Sequence, residues 1–125
     1  MLGNKRAVAT VAVRDLVAGR RFYEGTLGLA VEHTEGEEAI SFRAGDVSLL
    51  VYKSTYAGSN RATAVNWPVG VELDAIVRAL REKGVAFEHY DLPGLTLEGD
   101  VHVAGPMRMA WFKDPDGNIH ALMNQ

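Results

Sequence analysis

The sequence predicts an α+β fold: two βαβββ modules whose curved mixed sheets surround a cavity, with the helices outside. Three observations predict it. The order of element signals in the first half recurs in the second. Each half has an apolar segment, then an aspartate able to cap a helix and a glycine able to end one. Finally, Val85-Ala86-Phe87-Glu88 echoes Leu29-Ala30-Val31-Glu32 fifty-six residues earlier. Units of this kind cannot bury their sheets alone, so pairing two of them, within a chain or across a dimer, would enclose a small-molecule cavity.

The first module is expected over residues 5–53. Ala7 to Arg14 is Val-rich and bounded by charge, which reads as a strand. Asp15 caps the helix that follows, because its carboxylate can accept the free amide hydrogens of the first turn. Leu16, Phe22 and Tyr23 line one side of that helix, and Gly25 and Gly28 end it. Three short strands follow, at Ala30–Thr34, Ala39–Arg43 and Val47–Lys53, with Gly45-Asp46 turning between the last two.

A small, polar linker is expected over 54–66, and the second module over 67–125, the whole making a single domain. Trp67–Leu73 reads as a strand interrupted early by Pro68. Asp74 then caps a helix with Ile76, Val77 and Leu80 on one face and Gly84 past its end. After the echo, a strand runs through Tyr90, followed by a glycine-rich excursion from Leu92 to Pro106. The last strands, Met107–Lys113 and Asn118–Met123, are joined by Asp114-Pro115-Asp116-Gly117, where proline presets the turn and glycine supplies the positive backbone angle.

Composition excludes several classes of function. The chain has 125 residues, 47% hydrophobic and 23% charged, as an ordinary globular protein has. Its net charge is −3 with Lys and Arg scattered, so no basic stripe marks a nucleic-acid partner. Cysteine is absent, which removes disulfides and thiolate metal sites alike. No segment approaches the roughly 18 apolar residues of a membrane span, and the stretch Met1-Leu2-Gly3-Asn4-Lys5-Arg6 does not resemble a signal peptide. No membrane partner is expected, and the expected address is cytoplasmic.

Residues near both ends carry a likeness to a known family. Val11-Ala12-Val13-Arg14-Asp15-Leu16, Arg21-Phe22-Tyr23-Glu24 and Leu27-Gly28-Leu29 resemble the first module of the vicinal-oxygen-chelate superfamily. Phe112-Lys113-Asp114-Pro115-Asp116-Gly117-Asn118 resembles the turn that closes its second module. The superfamily includes glyoxalase I, extradiol dioxygenases, fosfomycin-modifying enzymes and bleomycin-resistance proteins. The resemblance implies a divalent metal held by His and Glu in the enzymes. The first-strand position, usually His, lies seven residues before Asp15 and is Val8. The final-strand position, usually Glu, lies four after Gly117 and is Ala121. A third position falls near Trp67, and no His or Glu occurs between Ser54 and Gly70. Hydrocarbon offers a cation no lone pair. No metal, cofactor or catalytic residue is therefore expected, which is the character of the bleomycin-resistance-like branch.

Strand parity then assigns faces. If Val8 and Ala121 face the cavity, Thr10 does too, and His120 faces the helix. Met109 and Trp111 share a face, and Trp67 is placed in the cavity, where two tryptophans would suit a flat aromatic guest. The ligand-binding set expected is Trp111, Trp67, Met109, Tyr52, Leu50, Phe42, Tyr90, Thr10 and His102, the alternative being that these side chains merely fill a core. Glu35, Glu37 and Glu38 read as solvated surface.

The expected function is metal-independent sequestration of a bulky, partly aromatic small molecule such as an antibiotic, giving resistance by binding. One alternative is a glyoxalase-like lyase or isomerase using His102 or Glu88 as acid or base. Another is a regulatory or interaction module without a small-molecule ligand. A homodimer is expected, with pockets between modules of two chains.

Overall fold

The computed structural model describes residues 1–125. The chain divides into two compact units, Met1–Gly58 and Ser59–Gln125, each built on one mixed, open sheet.

In the first unit, β1 (Ala9–Val13) leads into α1 (Leu16–Arg20), which widens into a π-helical turn over Arg21–Thr26. The Asp15 side chain accepts from the Val17 amide and so caps the helix as expected. The wider turn directs both Phe22 and Tyr23 inward, their rings edge to face with centroids 5.2 Å apart. Strands β2 (Ala30–Glu35), β3 (Ala39–Ala44) and β4 (Val47–Lys53) complete the unit in the order β1-β4-β3-β2. β1 lies parallel to β4, and the other pairs are antiparallel. Val11, Val13, Ile40, Phe42, Leu49 and Val51 are buried with Phe22 and Tyr23. Gly19 permits the close approach of helix and sheet, since a Cβ there would meet Val13 at 3.2 Å.

The second unit begins earlier than the sequence predicts. β5 runs Thr63–Pro68, inside the expected linker, and the expected strand Trp67–Leu73 is not formed beyond Pro68. The reason is local: Thr63-Ala64-Val65-Asn66-Trp67 is already extended along a sheet edge, where Pro68 is tolerated, and the Val69 and Gly70 amides then donate to the Met123 and Gln125 carbonyls as the chain turns toward the helix. A 3₁₀ turn over Gly70–Glu72 then starts α2 (Leu73–Glu82) one residue ahead of Asp74. Asp74 is therefore inside the helix and not its cap. Its carboxylate accepts from Arg108 at 2.8 Å.

β6 is only Phe87–Glu88 and does not reach Tyr90. The expected irregular excursion contains a hairpin of β7 (Thr96–Glu98) and β8 (Val101–Ala104). β9 (Met107–Lys113) and β10 (Ile119–Met123) follow, in the sheet order β5-β10-β9-β8-β7. The Asp114 carboxylate ties their turn, accepting from the amides of Asp116 and Asn118 at 2.9 Å and from the Asn118 side chain at 2.7 Å. Gly117 holds φ at 93°, an angle that favours glycine.

The two units match in detail. Val31 opposes Phe42 in the first sheet, and Phe87 opposes Phe112 in the second. The residue after each carries an ion pair to the opposite strand: Glu32 with Arg43 at 2.6 Å, and Glu88 with Lys113 at 3.1 Å. They differ in what comes next. The first unit has a one-residue bulge at Glu32. In the second, Glu88 opposes Trp111 and His102 opposes Met109, so residues 89–101 leave the ladder opposite the single residue Ala110.

Candidate functional site

Register sorts the expected ligand-binding residues into three groups. In the first sheet Thr10 is level with Leu50, and Tyr52 follows two residues on, all three facing away from the buried layer. The same face carries Glu32, whose carboxylate accepts from Ser41 Oγ at 3.0 Å and Ser48 Oγ at 2.8 Å and is held below its usual range by those hydroxyls and by Arg43. Nothing in its residues singled out that polar cluster, because it assembles from three strands.

Phe42 belongs elsewhere. It is fully buried on the helix side, 6.0 Å from Tyr23, and packs the core. Trp67 likewise lies off the expected face. It pairs level with Leu122, on the side of His120, and its indole N–H donates to His120 Nδ1 at 3.0 Å. The rings stack at 6.1 Å, and His120 stacks in turn on Phe112 at 5.0 Å. Burial pushes His120 down to about 4, with Asp114 pulling weakly the other way. A neutral ring is required there, since Nδ1 must keep a lone pair for the indole. The placement of Trp67 follows from the earlier start of β5, which brings Asn66 level with Ala121.

The third group comes together on the face of the second sheet away from α2. Met109 and Trp111 alternate along β9, and Ala121 lies beside Trp111 across the ladder, leaving its ring half-buried. His102, opposite Met109, meets Trp111 edge to face with centroids 4.8 Å apart. Tyr90 closes the cluster, 5.3 Å from Trp111 and 6.0 Å from His102. Burial, with Glu88 nearby, raises the Tyr90 phenol above its usual range.

His102 is fully buried and pins the start of the excursion to its end, because Nε2 accepts from the Tyr90 amide at 2.9 Å. A second tie lies just outside. Asp100 accepts from Arg81 Nε at 2.9 Å and from His89 Nε2 at 2.8 Å, and both partners hold its carboxyl below the usual range. Neither His89 nor Asp100 was singled out from the sequence, where His89 lies in the expected strand through Tyr90 and Asp100 in the glycine-rich excursion.

A cation finds few donors. Val8 precedes β1 and is half exposed, Ala121 is aliphatic, and Asn66 beside it offers one carboxamide oxygen. No three His, Asp or Glu side chains gather in a way that could hold a metal ion. The residues at these positions do not fit the metal that the resemblance implies for the enzymes. No helix is long and apolar enough to cross a membrane.

Comparison with known proteins agrees with this architecture. The profile of the Glyoxalase/Bleomycin resistance protein/Dioxygenase superfamily matches residues 6–122. No protein of curated function matches the sequence. Among solved structures, TnmS3, an antibiotic binding protein from Streptomyces sp. CB03234, is 24% identical with a TM-score of 0.68, covering 98% of this chain and 96% of that one. The fosfomycin resistance protein FosX from Mesorhizobium loti is 16% identical with a TM-score of 0.71, covering 100% and 94%. Lactoylglutathione lyase from Agrobacterium tumefaciens is 16% identical with a TM-score of 0.69, covering 96% and 92%. At these identities the likeness is one of fold, shared by binders and enzymes alike.

Proposed function

Because the chain belongs to the glyoxalase/bleomycin resistance protein/dioxygenase superfamily, we propose that it sequesters a bulky, partly aromatic small molecule, such as an antibiotic, without a metal and without changing it. One observation carries this reading: the Trp111, Tyr90 and His102 cluster offers aromatic surface but no available base. A general base needs a lone pair facing the substrate. The one lone pair of His102 is taken by the Tyr90 amide, and Glu88 is paired with Lys113. Aromatic faces and edges, in contrast, hold a flat guest by stacking. The antibiotic-binding function of TnmS3 agrees with this choice within the fold.

Titrating purified protein with an antibiotic panel, with and without a chelator, tests the proposal. Expected are quenching of tryptophan emission, indifference to the chelator, return of the compound chemically unchanged, and at least about tenfold weaker binding in Trp111→Ala. Turnover of a bound compound, or binding that requires added metal, would overturn it. We also infer a cytoplasmic homodimer. Sedimentation in which the 13.6 kDa chain stays monomeric contradicts that inference.

A further inference from the structure

The cluster around His102 contains a donor that nothing in the chain satisfies. The Tyr90 backbone amide can only donate, so His102 Nε2 must present a lone pair to it. In a neutral imidazole the proton then resides on Nδ1. That nitrogen is buried, in a residue with 0% exposure, and has no hydrogen-bond partner. Buried polar groups are nearly always paired, and an unmet donor is costly, so a fixed one next to a ligand-binding candidate calls for an acceptor from outside the chain.

We propose that His102 Nδ1–H recognises a neutral carbonyl oxygen attached to the aromatic system of the guest, so that the site selects aryl ketones and related compounds. This deepens the sequestration reading and rests on it. The donor and the aromatic surface are in the same place: His102 is 4.8 Å from Trp111 and 6.0 Å from Tyr90. Nδ1 is covered in the guest-free chain, so a carbonyl in the plane of an aromatic ring meets the imidazole N–H once the half-buried rings of Trp111 and Tyr90 part to admit it.

Charge selects the neutral acceptor over a carboxylate. The ionic groups near the cluster are already matched, Lys113 with Glu88 and Asp100 with both Arg81 and His89. A guest carboxylate would be stripped of water with no cation free to meet it. The neighbouring ties also make the donor a constant feature. Tyr90 and His102 close the base of the excursion, and His89 with Asp100 closes it again one layer out, so the tautomer and ring orientation of His102 are held by backbone.

Calorimetry with acetylnaphthalene, ethylnaphthalene and naphthoate tests the proposal, with ¹⁵N spectra of the histidines recorded alongside. Expected is binding of the ketone about tenfold tighter than of the alkyl analogue, with naphthoate weaker than the ketone. In His102→Phe the ketone and alkyl compounds should bind equally. Should that variant not fold, the wild-type spectra decide: the His102 Nδ1 proton should be present in the free protein and shift with the ketone but not with the alkyl compound. Equal binding of ketone and alkyl analogue by the wild type overturns the donor role and leaves sequestration standing. Preference for naphthoate, an Nε2–H tautomer, or an Nδ1 proton indifferent to the ketone (a trapped water as its partner) overturns the donor role too. Failure of all three compounds to bind overturns both readings.

Discussion

His120 shows how one buried ring sets a pH limit on the whole chain. It is stacked between Trp67 and Phe112, accepts from the indole, and is pushed down to about 4 by burial. Unfolded, the same ring would take a proton near its ordinary value of about 6.5. Between those two values the unfolded chain binds the extra proton, so stability is complete above about pH 6.5 and falls as pH is lowered toward 4. The expected loss between pH 7 and pH 5 is about 2 kcal/mol, readable from urea unfolding at the two pH values. In His120→Phe most of that slope should vanish, even if the orphaned indole lowers stability at both. A variant as steep as the wild type would refute the assignment. Strand parity alone placed His120 on the helix side, since it needed only the alternation around Ala121. Trp67 was placed in the cavity by the family likeness, which put a ligand position near it; β5 starts at Thr63 and brings Asn66 level with Ala121 instead.

At the level of elements, the second unit differs from the first by what happens after its conserved-in-kind Glu: a bulge at Glu32, and an excursion after Glu88. The strands flanking the turns were legible, since β3, β4, β9 and β10 have clear apolar alternation bounded by Gly45 and Gly117. The hairpin of β7 and β8 was not, as strands of three and four residues among glycines carry too little pattern to be told from a loop. The helix cap was legible at Asp15, where the chain enters directly from a strand, and misread at Asp74, where a 3₁₀ turn intervenes. The excursion's outer tie makes a prediction of its own. Asp100→Asn keeps the size of the side chain but removes the charge that Arg81 and His89 share. Amide hydrogen exchange at Tyr90 and through the β7–β8 hairpin should quicken severalfold, while the amides of β3 and β4 keep their protection. Because both partners hold the Asp100 carboxyl below its usual range, its contribution is present above about pH 4 and fades as pH falls further. Unchanged exchange at Tyr90 would mean that His102 alone secures the base of the excursion.

Across the whole molecule, duplication explains what the two units share and departure from it locates the candidate site. Ser41 and Leu50 in the first sheet hold the places that Trp111 and Ala121 hold in the second, each pair directly opposite across its ladder. Where the first sheet has a small hydroxyl beside a leucine, the second has a tryptophan beside an alanine, and the excursion brings Tyr90 and His102 against that ring. Family likeness was readable from the end motifs, and Tyr90, His102 and Trp111 were all in the expected ligand-binding set, whereas their mutual contact depends on how the excursion folds back and required coordinates. A guest held there binds the folded chain alone, since unfolding separates Tyr90, His102 and Trp111. Stability must then rise with guest concentration by mass action, reaching about 2.7 kcal/mol at a hundred times Kd. For a chain of this size that raises Tm by roughly 10 °C. Thermal unfolding across a dilution series of any compound that quenches Trp111 checks this, and Trp111→Ala should lose most of the increment at equal concentration. A compound that quenches yet leaves Tm unchanged would be meeting an exposed surface or the unfolded chain, and would not occupy this site.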